Sequence, residues 1–179
     1  MQAKKMPDIE TTLQIPDLLY RSCEEAPFRI YGVFKENGKF RRIPEKVASE
    51  TNEEVYKMHV RTTGGRIRFK TDSKYIAINA KVSDIYRVSF VSLQASAGFD
   101  FYVKKDGTQI YDGFFIPPSN ITDKYEGCAF FPDKKLREIT INLPYCTCVN
   151  ELYIGLQDSA TLLPADDYTY EKPIVYYGS

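Results

Sequence analysis

His59 is the only imidazole in the chain, and so the one side chain whose ordinary pKa suits a general base near neutral pH. Hydrolysis through a serine needs a nucleophile, a base and a group that orients the base. His59 falls on the polar side of an alternating run, with no matching serine motif beside it, and reads as a surface histidine. Among the cysteines Cys23, Cys128, Cys146 and Cys148, only the last two are close, as Cys146-Thr147-Cys148. A one-residue gap turns both sulfurs to one side, where they could hold a metal or close a strained bridge. With one histidine and no second close cysteine pair, reduced structural thiols are the expectation, without metal or cofactor. The acidic pairs Glu24-Glu25, Glu53-Glu54 and Asp166-Asp167 lie in polar stretches and read as solvated, unlike the facing carboxylates of a glycosidase.

Binding chemistry has better candidates. Asp100 lies between the apolar Phe99 and Phe101 and so turns away from a core, with Tyr102 on its side of the strand. It could accept from a sugar hydroxyl or a neighbouring domain, or else from backbone N–H groups that fix a hairpin; the hairpin role is the expectation. Arg66 and Arg68 share a strand face with Lys70, a row able to clamp a carboxylate or meet an acidic surface, although solvated faces look alike. Tyr86, Tyr111, Tyr125, Tyr145, Tyr168 and Tyr170 fall near strand ends or loops, where aromatic rims form; no Trp is present.

The elements that must carry these residues are strands. Period-two alternation runs through Tyr56, Met58, Val60; Ile67, Phe69; Ile76, Ile78, Ala80, Val82; Phe99, Phe101, Val103; Ile139, Ile141, Leu143; and Leu152, Ile154, Leu156. Asn37-Gly38 and Asp106-Gly107 supply the positive φ of tight hairpins. Gly64-Gly65 and Pro117-Pro118 are further breaks, and one short helix is expected over residues 45–52. About ten short strands without strand–helix alternation predict an all-β fold, an antiparallel β-sandwich of jelly-roll type. Three segments follow: residues 1–26 as a strap, 27–165 as the sandwich, and 166–179 as a polar linker leading into the apolar run Pro173-Ile174-Val175-Tyr176-Tyr177. That run lacks alternation and resembles a strand buried on both faces, an orphan first strand of an α/β domain.

Lys plus Arg number 24 and Asp plus Glu number 24, so no one-signed field suits nucleic acid or an anionic membrane. The start Met1-Gln2-Ala3-Lys4-Lys5-Met6-Pro7-Asp8 has no apolar stretch after its lysines and does not read as a secretory signal, and no run approaches spanning length, so a cytoplasmic location is the expected default, with an extracellular or periplasmic one left open.

Gly98-Phe99-Asp100-Phe101-Tyr102 resembles the Gly-x-Asp-Leu-Tyr signature of the N-terminal domain of bacterial SGNH (GDSL-type) hydrolases, with Phe101 in place of leucine. Thr63-Gly64-Gly65-Arg66-Ile67-Arg68-Phe69, Thr71-Asp72-Ser73 and Glu151-Leu152-Tyr153-Ile154-Gly155-Leu156 are similar to the same domain, while Cys146-Thr147-Cys148 departs from it. The apolar run into Gly178-Ser179 resembles the first block of the catalytic domain, whose nucleophile would fall at position 180.

What the resemblance implies is a non-catalytic accessory domain truncated before its catalytic half, with Gly178 and Ser179 as a fragment of the nucleophile loop. The parent would be a serine ester hydrolase, the downstream domain the partner, and an acylated carbohydrate a possible ligand. Arg66, Arg68, Asp100 and Tyr102 would be the binding or domain-contact residues. The alternatives are a stand-alone carbohydrate-binding module and a structural module dimerising through the C-terminal strand.

Overall fold

A computed structural model of the chain describes residues 9–170 and 172. Two antiparallel sheets face each other. The first contains β1 (Leu18–Ser22), β6 (Tyr75–Ser83), β9 (Lys124–Phe130) and β11 (Cys148–Gln157), in the order β1-β11-β6-β9. The second runs β12 (Leu162–Pro164), β5 (Arg66–Thr71), β10 (Arg137–Asn142), β7 (Phe99–Lys105), β8 (Thr108–Phe115), with β2 (Arg29–Tyr31) also on β5. A small hairpin, β3 (Phe34–Glu36) with β4 (Lys39–Arg41), stands apart. Period-two residues from both sheets meet in the core: Ile67, Phe69, Ile76, Ile78, Phe99, Phe101, Ile139, Ile141, Leu152 and Ile154 are all buried. The all-β sandwich is as expected.

Both predicted hairpins form, with φ of 49° at Asn37 and Asp106, 75° at Gly38 and 81° at Gly107. The helix expected at 45–52 is α1 (Glu45–Thr51), whose first N–H donates to the Glu36 carboxylate.

The alternation of Tyr56, Met58 and Val60 misleads. Residues 53–58 are α2 (Glu53–Met58), capped by the Asn52 side chain, which accepts from Val55 N at 2.9 Å. Glu53 and Glu54 occupy the first turn and Lys57 pairs with both, so cap, dipole and side-chain pairs outweigh an alternation with little burial behind it.

The expected N-terminal strap is half strand. Leu18–Ser22 pairs with β11 in regular register, because Tyr20 packs down while its neighbours stay half-exposed. Residues before it do cross the outer face of the first sheet: Asn79 donates to Glu10 O, Thr12 N donates to Glu126, and Tyr75 OH donates to Asp17. Their cover explains why Tyr75, Ala77 and Asn79 are buried although they face away from the core. The predicted strand 173–177, with Gly178 and Ser179, lies outside the described residues.

Candidate functional site

The outward face of the six-stranded sheet gathers Arg66, Arg68, Asp100 and Tyr102. Register makes this so. Asn142 pairs with Arg66 on one side and Asp100 on the other, and Thr140 pairs with Arg68 and Tyr102. The central strand β10 therefore lays Glu138, Thr140 and Asn142 between the basic row of β5 and the Asp100-Tyr102-Lys104 row of β7.

The four residues do different things there. Arg66 is exposed. Arg68 is buried and donates through Nη2 to Glu138 Oε1 at 2.5 Å, with both side chains under 5% exposed (3% and 4%). Its carboxylate partner is thus inside the domain, which corrects the reading of Arg68 as part of a solvated row. Asp100 is half-buried and accepts from the Asn142 amide at 3.2 Å, in place of the backbone N–H groups expected of a hairpin-fixing acid. Burial, with the Asp100 carboxylate behind it, pushes the Tyr102 phenol up.

The glycine of the signature works by space, not conformation. A Cβ on Gly98 would run into the Phe114 ring and the Gln94 carbonyl, so only glycine lets β7 start directly against α3 (Leu93–Ala97). Asp100 and Tyr102 then face outward while Phe99 and Phe101 enter the core.

Residues 18–162 match the family model described as GxDLY, the N-terminus of SGNH-hydrolase-type esterases. The chain belongs to this family.

No curated protein sequence matches the GxDLY chain. Among solved structures it is similar to a protein assigned as a GDSL-like lipase from Bacteroides ovatus, at 22% identity and a TM-score of 0.74, covering 84% of this chain and 44% of that one. It is also similar to a salicylyl-acyltransferase from a tetracycline biosynthetic pathway, at 19% identity and a TM-score of 0.62, covering 89% of this chain and 44% of that one. At these identities the likeness concerns the fold, and the chain spans less than half the length of either protein.

Residues 166–168, just after β12, make contacts on the outer face of the GxDLY domain. Asp166 accepts from Lys70 and, at 3.3 Å, from Lys104, and its own N–H donates to Glu138. Asp167 pairs with Arg29, and the Tyr168 ring lies 4.1 Å from the Arg68 guanidinium and edge-on to Tyr31. The acidic pair is exposed, as expected, and its carboxylates also pair with Lys70, Lys104 and Arg29 as an ionic clasp on the outer face.

The Lys70 ammonium, with the Glu138 contact and Lys104 behind it, holds the Asp166 carboxyl at about 2 against an ordinary 3.8. A depressed folded value means that the clasp is complete above 3.8 and is lost as pH falls through about 2. The protection of the amides of residues 166–168, taken relative to their intrinsic exchange rates, is therefore expected to fall across that window. Asp166→Asn should be less protected than the parent above pH 3.8 and converge with it below about 2, flattening the dependence; an unchanged pH profile in that variant would count against the clasp.

His59 is buried, not on the surface. The Arg41 guanidinium meets its Nε2, its Nδ1 faces the Tyr56 carbonyl, and Tyr56 stacks on the ring at 5.1 Å. A guanidinium only donates, so Nε2 accepts and Nδ1 carries the proton. Both nitrogens are spent on structure, leaving none for a nucleophile. Arg41, which bridges Glu36, Glu45 and His59, gave no sequence signal beyond its position in the hairpin.

The cysteine loop is pinned. Cys146 N and Thr147 Oγ1 both donate to Ser96 O, and Thr62 Oγ1 bridges the carbonyls of Pro144 and Thr147. Burial pushes the Cys146 thiol up and that of Cys148 to about 11, so both stay protonated at neutral pH. Among the described residues no three His, Cys, Asp or Glu side chains gather as a metal site. What the loop presents is Tyr145, which is exposed. Tyr125, expected at a rim, is instead buried between the sheets, its hydroxyl donating to Ala97 O at 2.8 Å.

Proposed function

We propose that this chain is the non-catalytic N-terminal accessory domain of an SGNH-type serine ester hydrolase, and that it buttresses the downstream catalytic domain. The observation that carries this reading is the family match over residues 18–162. The clasp supports the buttressing role in particular. Residues 166–168 are tied to three strands of the sandwich, through Lys70 on β5, Lys104 on β7 and Arg29 on β2. Chain leaving such an anchor starts from a fixed place and direction, as a rigid support needs and a flexible tether does not. A spent imidazole at His59 agrees with a domain that holds a catalytic partner rather than reacting itself.

The test compares this chain with the polypeptide extended through the next domain. The chain alone should hydrolyse p-nitrophenyl acetate at background rate, and the extended protein should do so well above it. Esterase activity that copurifies with the chain alone and is abolished by a serine-directed phosphonofluoridate would overturn the reading.

A further inference from the structure

Beyond the clasp, the outer face ends in a cavity of about 470 Å³. Thr63, Arg66, Asp100, Phe114, Asn142 and Tyr145 line it, with Gly64 and Gly98 leaving room at its wall. We propose that this cavity is a binding site for a neutral polyhydroxylated ligand, a sugar ring with adjacent free hydroxyls.

Three observations carry the assignment. The polar groups are arranged to be met from outside. Asp100 and Asn142 are half-buried and hold each other at 3.2 Å, which orients the carboxylate yet leaves acceptor capacity on both side chains. Among the described residues the Arg66 guanidinium and the Tyr145 hydroxyl make no hydrogen bond within the protein. An acceptor pair, a planar donor and a phenol within one cavity match the alternating donors and acceptors of vicinal hydroxyls.

The charge balance selects against ions. Arg66 and Asp100 are the only ionised side chains in the lining, one of each sign, so a free anion meets Asp100 and a free cation meets Arg66. A neutral ligand can use both.

The third observation is apolar. Tyr145 is 58% exposed and Phe114 is half-buried, giving ring surface for the C–H face of a sugar. Tyr145 is held in place from behind: Thr63 Oγ1 donates to its carbonyl, and the following residues are pinned to Ser96. The cysteine loop that departs from the family resemblance thereby acquires a task, the positioning of an exposed ring.

The site belongs to this chain's own residues and does not depend on the accessory-domain reading. It is tested by titrating the ¹⁵N-labelled chain with xylotriose, N,N′,N″-triacetylchitotriose and trigalacturonate. The neutral sugars should give saturable shifts centred on Asp100, Tyr145 and the Asn142 side-chain amide, with at least one binding in the range of about 1 mM. Asp100→Asn, which keeps the shape, and Tyr145→Ala, at an exposed position, should each weaken binding about tenfold or more while the spectrum stays dispersed. Absence of saturable shifts with either neutral sugar would overturn the proposal. So would shifts that survive both substitutions, or preference for trigalacturonate, which would mark an anion site at Arg66. The same titration of the extended protein completes the test. Retained binding supports the proposal, whereas cavity amides already shifted and insensitive to sugar would show that a protein segment is the occupant.

Discussion

Replacing Glu138 with leucine is expected to cost the fold about 3–5 kcal/mol, because it strands a buried guanidinium. Among the described residues Arg68 has no other carboxylate within reach, and its Nε and Nη1 are already buried without partners, as is the neighbouring Thr140 Oγ1. The Tyr168 ring and the sheet exclude the water that would otherwise solvate the charge. The reverse change, Arg68→Met, should cost less, about 2–3 kcal/mol, since Glu138 keeps Lys104 at 3.6 Å, Lys70 at 4.0 Å and the Asp166 N–H. The double variant Arg68→Met/Glu138→Leu removes both desolvation penalties and should recover most of the loss, to within about 1 kcal/mol of the parent. Urea denaturation of the four proteins measures the cycle. A double variant no more stable than Glu138→Leu alone would mean that the pair is not the electrostatic unit its geometry describes.

That pair also shows where sequence reading runs out. The core faces of β5, β6, β7, β10 and β11 were legible because alternation repeated over several residues and was backed by branched or aromatic side chains. Hairpin turns were legible from Asn-Gly and Asp-Gly, which need no partner elsewhere in the chain. Strand order was not. Arg66 and Arg68 could be placed on one face of a strand, and Asp100 and Tyr102 on one face of another, but nothing local says that β10 lies between them. Glu138 and Asn142 complete the ion pair and the cavity from that middle strand, and they went unread.

Long-range charge pairing hid the remaining features. Asp166 and Asp167 are polar residues in a polar stretch, and only the fold brings Lys70, Lys104 and Arg29 beneath them, at separations of 96, 62 and 138 residues. His59 looked like a surface residue because alternation suggested a strand there. The Asn52 cap with Glu53, Glu54 and Lys57 was the local signal for helix, and Arg41 is the distant partner that makes burial of the imidazole possible.

The departure of Phe101 from the leucine of the family signature has a structural counterpart across the hairpin. Phe101 pairs with Gly113, and the register then slips so that Tyr102 faces Tyr111, leaving Asp112 as the extra residue of a bulge. A Cβ on Gly113 would lie 2.6 Å from the Phe101 ring, so the glycine vacates the space that the larger side chain fills. The ring cannot step aside, being 2% exposed and in contact with Phe115 at 5.3 Å and Phe131 at 6.4 Å between centroids. Gly113→Ala is therefore expected to destabilise the domain by about 1–3 kcal/mol through overpacking. Phe101→Leu restores the signature residue and should cost about 1.5 kcal/mol or less, because it leaves space beside Gly113. In the double variant the alanine methyl occupies that space, so Gly113→Ala should cost little, or even stabilise, once Phe101 is leucine. Thermal or urea unfolding of the set reads this reversal directly. If Gly113→Ala costs the same with phenylalanine and with leucine at position 101, the two residues are not one packing unit, and the deviation from the signature needs another cause.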